Sequence, residues 1–282
     1  MLERDGEIVA HAGVCPVSFR LRGGQTVSSL TITDWAADPT IPGAGVVLYR
    51  KLMKMAATSF VIGGAPVTRQ MVPRMGFRHV GDALTYAAWL RPWREFQMRP
   101  ATGRSALRLL HGLTHPVANR RRLSQHWEFV PVSEFDDALQ PLLSGAKRSW
   151  TFCERTVADL NYLLKCPHLE MRGFLLRRQS GLCGYFVMGK SGWEARVLDL
   201  VVDSEDASDW KHACAVVTRA ALLEPDVCRL RVLSTLPILS DALAWNGYWC
   251  QYQEPILIHD STNALDGAFP VSFQLFDGDS GY

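Results

Sequence analysis

Apolar and polar positions along the chain change period several times, and each change predicts a new element. Glu7–Val14 is apolar on both faces and Val17–Leu21 alternates. With the turn Arg22-Gly23-Gly24-Gln25, this predicts a hairpin or meander onto Thr26–Thr33, both strands well buried. Leu30, Ile32, Trp35, Ala36 and Ala37 continue the apolar run until Asp38-Pro39 cuts it. Across Val46–Ala57, Leu48, Tyr49, Leu52, Met53 and Ala56 then recur at helical spacing, with Arg50, Lys51 and Lys54 on the other side. Ser59–Ile62 predicts a short strand closed by Gly63-Gly64. Val67–Met75 predicts a helix that Pro73 shortens or kinks, and Leu84–Leu90 a strand.

Residues 92–125 predict a connector containing a helix over Ser105–Leu113 and a basic run, Arg120-Arg121-Arg122. No aromatic residues interleave that run for base stacking, so it reads as a solvated face and not as a nucleic-acid contact. From Trp127 the order begins again. Trp127–Val132 predicts a strand, Ser133–Leu143 a helix capped by Ser133, and Arg155–Leu164 a second helix. Met171–Arg177 and Leu182–Met188 predict a hairpin around Gln179-Ser180-Gly181. Ala195–Val202 and Val227–Leu233 predict strands on either side of a helix, Asp209–Leu223. Pro237–Trp245 predicts a helix ending at Asn246-Gly247-Tyr248, and Gln253–Ile258 a strand. In the tail, Val271, Phe273 and Leu275 alternate with polar residues and predict one more strand.

Composition narrows the class without naming it. The chain has 282 residues, 48% hydrophobic and 21% charged, with a net charge of +2. That describes an ordinary globular protein and gives no reason to expect DNA or a membrane surface as partner. No apolar stretch approaches the roughly 20 residues that span a bilayer. The N-terminal MLERDGEIVA has mixed charges and no apolar core, so it does not read as a signal peptide. The seven cysteines show no Cys-x-x-Cys spacing, which argues against a metal site and for reduced thiols. The expected location is cytoplasmic.

Chemistry concentrates at Asp34–Leu52, where strand, glycine-bearing turn and helix follow one another. Such a turn aims the unpaired first amides of the helix at an anion. The stretch resembles the acyl-CoA-binding motif of the GNAT (Gcn5-related N-acetyltransferase) superfamily. Met75-Gly76-Phe77-Arg78 is similar to the end of that family's last helix, and Gly247-Tyr248 holds the matching place further on. Phe152-Cys153-Glu154-Arg155-Thr156 and the ending PVSFQLFDGDS are similar to bacterial two-lobed GNAT-like proteins.

The resemblance implies an α/β (α+β) fold of two tandem GNAT-like lobes, each a mixed, mostly antiparallel sheet flanked by helices. Its expected division is a partial first lobe at 1–96, a linker at 97–125, a second lobe at 126–260 and a tail at 261–282. The first lobe shows no opening strand and helices before Glu7, and the tail strand is expected to pair with that lobe in their place. Acetyl-CoA or another acyl-CoA is the implied co-substrate, bound by Ala36, Ala37, Gly43, Ala44, Gly45, Val46 and Val47, with no metal. Asp34, on the strand before the turn, is the candidate base, and a small-molecule amine is the implied acceptor.

The family's loop, Gln/Arg-x-x-Gly-x-Gly/Ala, falls on Pro42-Gly43-Ala44-Gly45-Val46-Val47. Pro42 deletes an amide and a phosphate-contacting side chain, and Val47 stands where a small residue is usual. Val72 occupies the position where the family carries its tyrosine acid. Asp203-Ser204-Glu205-Asp206-Ala207-Ser208-Asp209, the corresponding loop of the second lobe, has four carboxylates and no glycine, and predicts a helix that caps itself. Three functions follow: an N-acyltransferase, an inactive GNAT-like binding or scaffold protein, or a Fem-type aminoacyl transferase. Oligomeric state is not legible.

Overall fold

A computed structural model describes residues 1–98, 110, 126–145, 148–179 and 181–277. The Ser105–Leu113 helix, the Arg120–Arg122 run and Ser180 therefore lie outside the described residues, apart from Leu110, which is helical.

Strands β1 (Leu2–Arg4), β2 (Glu7–Arg20) and β3 (Thr26–Ala37) open the chain, followed by α1 (Ala44–Leu52), β4 (Thr58–Ile62), α2 (Pro66–Arg74), β5 (Arg78–Trp89) and α3 (Pro92–Met98). Then come β6 (Trp127–Val132), α4 (Gln140–Leu143), β7 (Thr151–Cys153), α5 (Val157–Leu163), β8 (Glu170–Arg178), β9 (Gly181–Ser191) and β10 (Glu194–Val202). Helices α6 (Ala207–Leu223) and α7 (Pro237–Trp245) alternate with β11 (Arg229–Ser234) and β12 (Trp249–Asp260), and β13 is Val271–Ser272. Among the described residues thirteen strands form one mixed sheet, ordered β13-β7-β2-β3-β4-β12-β5-β11-β10-β9-β8-β6, with β1 on β2.

Several expectations need correction. Glu7–Arg20 is one strand, not two, and much of it is exposed, because only short β1 and β7 pair with it on the side away from β3. Ser133 caps nothing: Asp136 accepts the Ala138 amide (3.0 Å) and starts a 3-10 turn at Asp137–Leu139, and α4 follows for a single turn. In the tail the extended stretch stops at Ser272. The Asp277 carboxylate takes the Gln274 amide (2.7 Å) and bends the chain into a 3-10 turn, Leu275–Asp277.

Position in the sheet also differs from expectation. The tail strand does not pair with β2. Strand β7 does, through Phe19–Cys153, and β13 pairs with β7 in parallel through Val271–Thr151. Phe273 nevertheless reaches the first half of the chain, with its ring 4.8 Å from Phe60 and 5.6 Å from Phe19. The last strand of each half lies beside the other half: β12 pairs with β4 and β5, and β5 with β11.

Alternation along the strands separates two faces. On β12, Leu257 packs with Leu48, Tyr49, Val72 and Phe77 under α1 and α2, while Ile256 and Ile258 turn to the opposite side, toward Phe60, Leu160, Leu265 and Phe273. Helices α6 and α7 cover β9–β11 with Trp210, Cys214, Val217, Leu239 and Leu243. Gly76 and Gly247 adopt φ of 93° and 80° after α2 and α7, a backbone only glycine takes cheaply, and each is followed by a buried aromatic ring.

Candidate functional site

Strands β3 and β4 run parallel but pair only at Leu30–Ser59 and Thr31–Phe60 before they part. Just beyond the parting, two residues of β3, Asp34 and Trp35, face the single Ala12 of β2, between the pairs Thr33–Gly13 and Ala36–His11. This is a β-bulge, and Asp34 sits at φ 48°. A bulge breaks the ladder and re-aims the chain. Gly13 makes room for it, since a Cβ there would lie 2.6 Å from Thr33 Oγ1.

Between the parted strands lies a cavity of about 190 Å³, lined by Thr31–Trp35 of β3, by Val61 and Ile62 of β4, by Gly64, Ala65 and Thr68, and by Tyr49 of α1. Two of the lining residues carry buried polar atoms with no hydrogen-bond partner, Tyr49 Oη and Trp35 Nε1, the second of them packed toward Gly45 of α1. Leaving such groups unpaired costs about 1–3 kcal/mol each, so they are donors waiting for a ligand or water. Burial pushes the Tyr49 phenol far above its ordinary value, which keeps its proton in place. Its ring is wedged between Trp35 and Phe77, with centroids 5.0 and 5.7 Å away.

Asp34 lines this cavity and is exposed. The seven residues expected to hold the cofactor belong to the end of β3 and the start of α1 and are not among those lining the cavity. Ala36 and Ala37 pair with His11 and Ala10 of β2. Gly43 is the left-handed N-cap of α1 (φ 85°), whose first amides have no helical acceptor behind them. The Ala44 amide reaches back to Ile41 (3.3 Å) and the Val47 amide to Gly43 (2.9 Å), and those of Gly45 and Val46 lie between them at the open turn. Gly45 is glycine for a reason the motif does not state: a Cβ would meet the Trp35 indole at 2.9 Å and Ala37 at 3.1 Å. Val47 points outward, 48% exposed. Asp38 folds onto Thr40 with 2.7 and 2.8 Å bonds, which hold its carboxyl below the usual range.

Thr31, Thr33, Trp35, Tyr49 and Thr68 are cavity residues that the sequence reading passed over. Tyr49 was visible only as one more member of the apolar helix face, and nothing in its spacing separates it from Leu48 or Leu52. His79, by contrast, is spent on Asp82 at 3.0 Å.

The second half repeats the geometry and then closes it. Strands β10 and β11 pair from Glu194–Arg229 to Val197–Val232 and part, and β10 bulges at Leu198, between the pairs Val197–Met188 and Asp199–Val187. Here the tail bridges the opening. Thr235 Oγ1 donates to Val271 O (2.7 Å) and accepts from Phe273 N (2.9 Å), while Gln274 Nε2 donates to Leu200 O (3.4 Å). Arg155 anchors it, pairing with Asp199 (3.2 Å) and with Asp277 of the tail, and Tyr185 Oη donates to Asp199 (3.1 Å). Burial raises the Asp199 carboxyl against the pull of Arg155. The carboxylates of the loop before α6 are engaged locally. Asp206 caps the helix through the Ser208 amide (2.8 Å), and Asp209 is held by Arg178 (3.0 Å).

This architecture is the GNAT N-acyltransferase fold. Among solved structures the chain is similar to a GCN5-related N-acetyltransferase from Anabaena variabilis, at 12% identity and TM-score 0.61, covering 92% of this chain and 61% of that one. It is also similar to Saccharomyces cerevisiae N-myristoyltransferase with bound myristoyl-CoA, at 11% identity and TM-score 0.62, covering 90% and 64%. A tandem GNAT protein from the clavulanic acid biosynthesis pathway matches at 12% identity and TM-score 0.54, covering 92% and 81%. The chain thus spans less than two thirds of the length of the first two. No family model and no curated protein matches the chain. Among the described residues no helix is long and apolar enough to cross a membrane, and no cluster of His, Cys, Asp and Glu could hold a metal.

Proposed function

We propose that the chain is an N-acyltransferase that moves an acyl group from acyl-CoA to a small amine, using the β3–β4 cleft alone. One observation carries this reading. The first cleft is open, bulged at Asp34 and lined by unpartnered buried donors, whereas its counterpart between β10 and β11 is bridged by the tail.

The residues present fit a pantetheine-like arm. Parted strand edges offer backbone groups to its amides, Tyr49 Oη would supply a donor to the cleft, and Trp35 Nε1 one beside the α1 turn at Gly45. The open turn of α1 at Gly45 and Val46 would face the pyrophosphate through backbone amides alone, since Pro42 brings no cation. Affinity then rests on the arm more than on the phosphates. Acyl-CoA supplies the activated thioester. Asp34, exposed on the bulge, is the candidate to receive the amine's proton, and Tyr49 keeps a hydrogen bond available in the cleft.

A specific feature favours the inactive, ligand-binding alternative: the absence of any tyrosine in Val67–Met75, where Val72 of α2 is fully buried. Titration with acetyl-CoA, followed by calorimetry and by melting temperature, tests the common part of both readings. Binding that a Gly45→Trp variant loses supports the cleft, and no binding at millimolar acetyl-CoA overturns it. Thiol release in the presence of amines then separates enzyme from binding protein. Salt-sensitive binding of tRNA would point instead to the Fem-type reading.

A further inference from the structure

Which acyl group the first cleft would take depends on where the cleft ends. We propose that it is a dead end that admits an acyl chain no longer than about butyryl, and that the Tyr49 ring is the stop. This deepens the acyltransferase reading and rests on it.

Strand pairing closes the inner end. Strands β3 and β4 are joined at Leu30–Ser59 and Thr31–Phe60, and Thr31 is the residue of β3 where the cavity wall begins. Paired backbones about 4.8 Å apart leave no passage for a chain. A chain that reached this apex could continue only by leaving the sheet through one of its faces, and three packed rings stand at each. On the face away from α1, Phe60 of the apex packs against Phe19 (5.5 Å) and Phe273 (4.8 Å), all three buried. On the α1 face stand Trp35, Tyr49 and Phe77, with Leu48, Val72 and Leu257 filling the core behind them.

Of these six rings, Trp35 and Tyr49 line the cavity. The Trp35 indole leans on Gly45 of α1. Tyr49 is 1% exposed, and its ring is clamped between Trp35 at 5.0 Å and Phe77 at 5.7 Å. A ring held on a helix between two others cannot swing aside without displacing packed neighbours. It is the wall that a lengthening chain would meet.

The volume agrees with a short chain. At about 30 Å³ per water-sized group, 190 Å³ holds roughly six such groups, which is a thioester sulfur, its carbonyl and about three further carbons. Each methylene that an open apolar tunnel buries would raise affinity about fourfold. A dead end rewards only the carbons that fit.

Calorimetry with acetyl-, butyryl-, hexanoyl- and octanoyl-CoA reads the stop. In the parent, affinity should rise as far as butyryl-CoA and no further. Tyr49→Phe keeps the ring and should keep this limit, whatever it does to affinity overall. Tyr49→Ala removes the stop, and octanoyl-CoA should then bind about tenfold or more tighter than butyryl-CoA. Should circular dichroism show Tyr49→Ala unfolded, Val61→Ala, on the β4 side of the cavity, should extend the rise to hexanoyl-CoA. Three results would overturn the proposal and leave the cleft an acyl-CoA site. These are affinity that climbs through octanoyl-CoA in the parent, a limit lost in Tyr49→Phe, and a parental limit in folded Tyr49→Ala or, failing that variant, in Val61→Ala. No binding of any acyl-CoA overturns the acyltransferase reading and this inference together.

Discussion

Arg155 is the residue on which the closure of the second cleft can be tested hardest. Its side chain is 8% exposed and holds two carboxylates, Asp199 and Asp277, that are 2% and 1% exposed. Replacing it with Met keeps most of the volume and removes the charge. Asp199 would keep the Tyr185 hydroxyl, and Asp277 the Gln274 amide and the Cys153 thiol. Breaking one partner out of a buried ion network costs about 3–5 kcal/mol, and at about 2–4 °C per kcal/mol this lowers the melting temperature by roughly 6–20 °C. The pH dependence gives a second handle. Burial already raises the Asp199 carboxyl, and without Arg155 its folded-state pKa rises further above the unfolded value of about 3.9. A raised folded pKa confers stability that is present at low pH and lost as pH rises, so the deficit of Arg155→Met should narrow between pH 7 and pH 4. Adding Asp277→Asn should recover about 0.5–3 kcal/mol through coupling. Urea unfolding at pH 7 and pH 4.5 measures all of this, and proteolysis should cut the tail of the variant first. A deficit below about 1 kcal/mol at pH 7, or one that does not change with pH, would refute the reasoning.

Two further outcomes follow from single side chains. Tyr49→Phe removes a buried hydroxyl that no group answers, so it should raise stability by about 1 kcal/mol while weakening acyl-CoA binding; unchanged binding by calorimetry would assign the residue to packing alone. Asp260 accepts from the amides of Leu265 (2.7 Å) and Thr262 (3.1 Å), bonds that outweigh its desolvation and lower its pKa. A depressed folded pKa gives stability that is present above the unfolded pKa and lost as pH falls through the folded one. Asp260→Asn should therefore cost about 1 kcal/mol at pH 7 and less below pH 4, measured by urea unfolding.

Most elements were legible because they are local. Trp127–Val132 and Pro237–Trp245 stand where period and proline placed them, whereas β1, α3 and β7 were not expected and the Ser133–Leu143 helix and the tail strand shrink to short turns and a two-residue strand. Ser133 misled because Asp136, three residues on, makes the better cap once Pro141 fixes where a helix can start. The candidate site was half legible. Glycine and proline marked the α1 turn, but the cavity lies deeper, on Thr31–Trp35 and Tyr49. Bulge and parting of strands are properties of pairing, and one strand's sequence does not contain its partner.

By itself the sequence determined the periods, the breaks and the repeated order of strand, turn, helix and Gly-aromatic end, and the resemblance of its motifs implied the GNAT fold. Those depend on neighbours within a few residues, where backbone preference and side-chain spacing act directly. Only the tertiary structure decided that β5 and β12 sit beside the opposite half, that the tail bridges one cleft and not the other, and that Arg155 meets Asp277 across 122 positions. Such contacts are chosen by which buried charges and rings must be satisfied together once the sheet has formed, a condition on the whole chain that no local window carries.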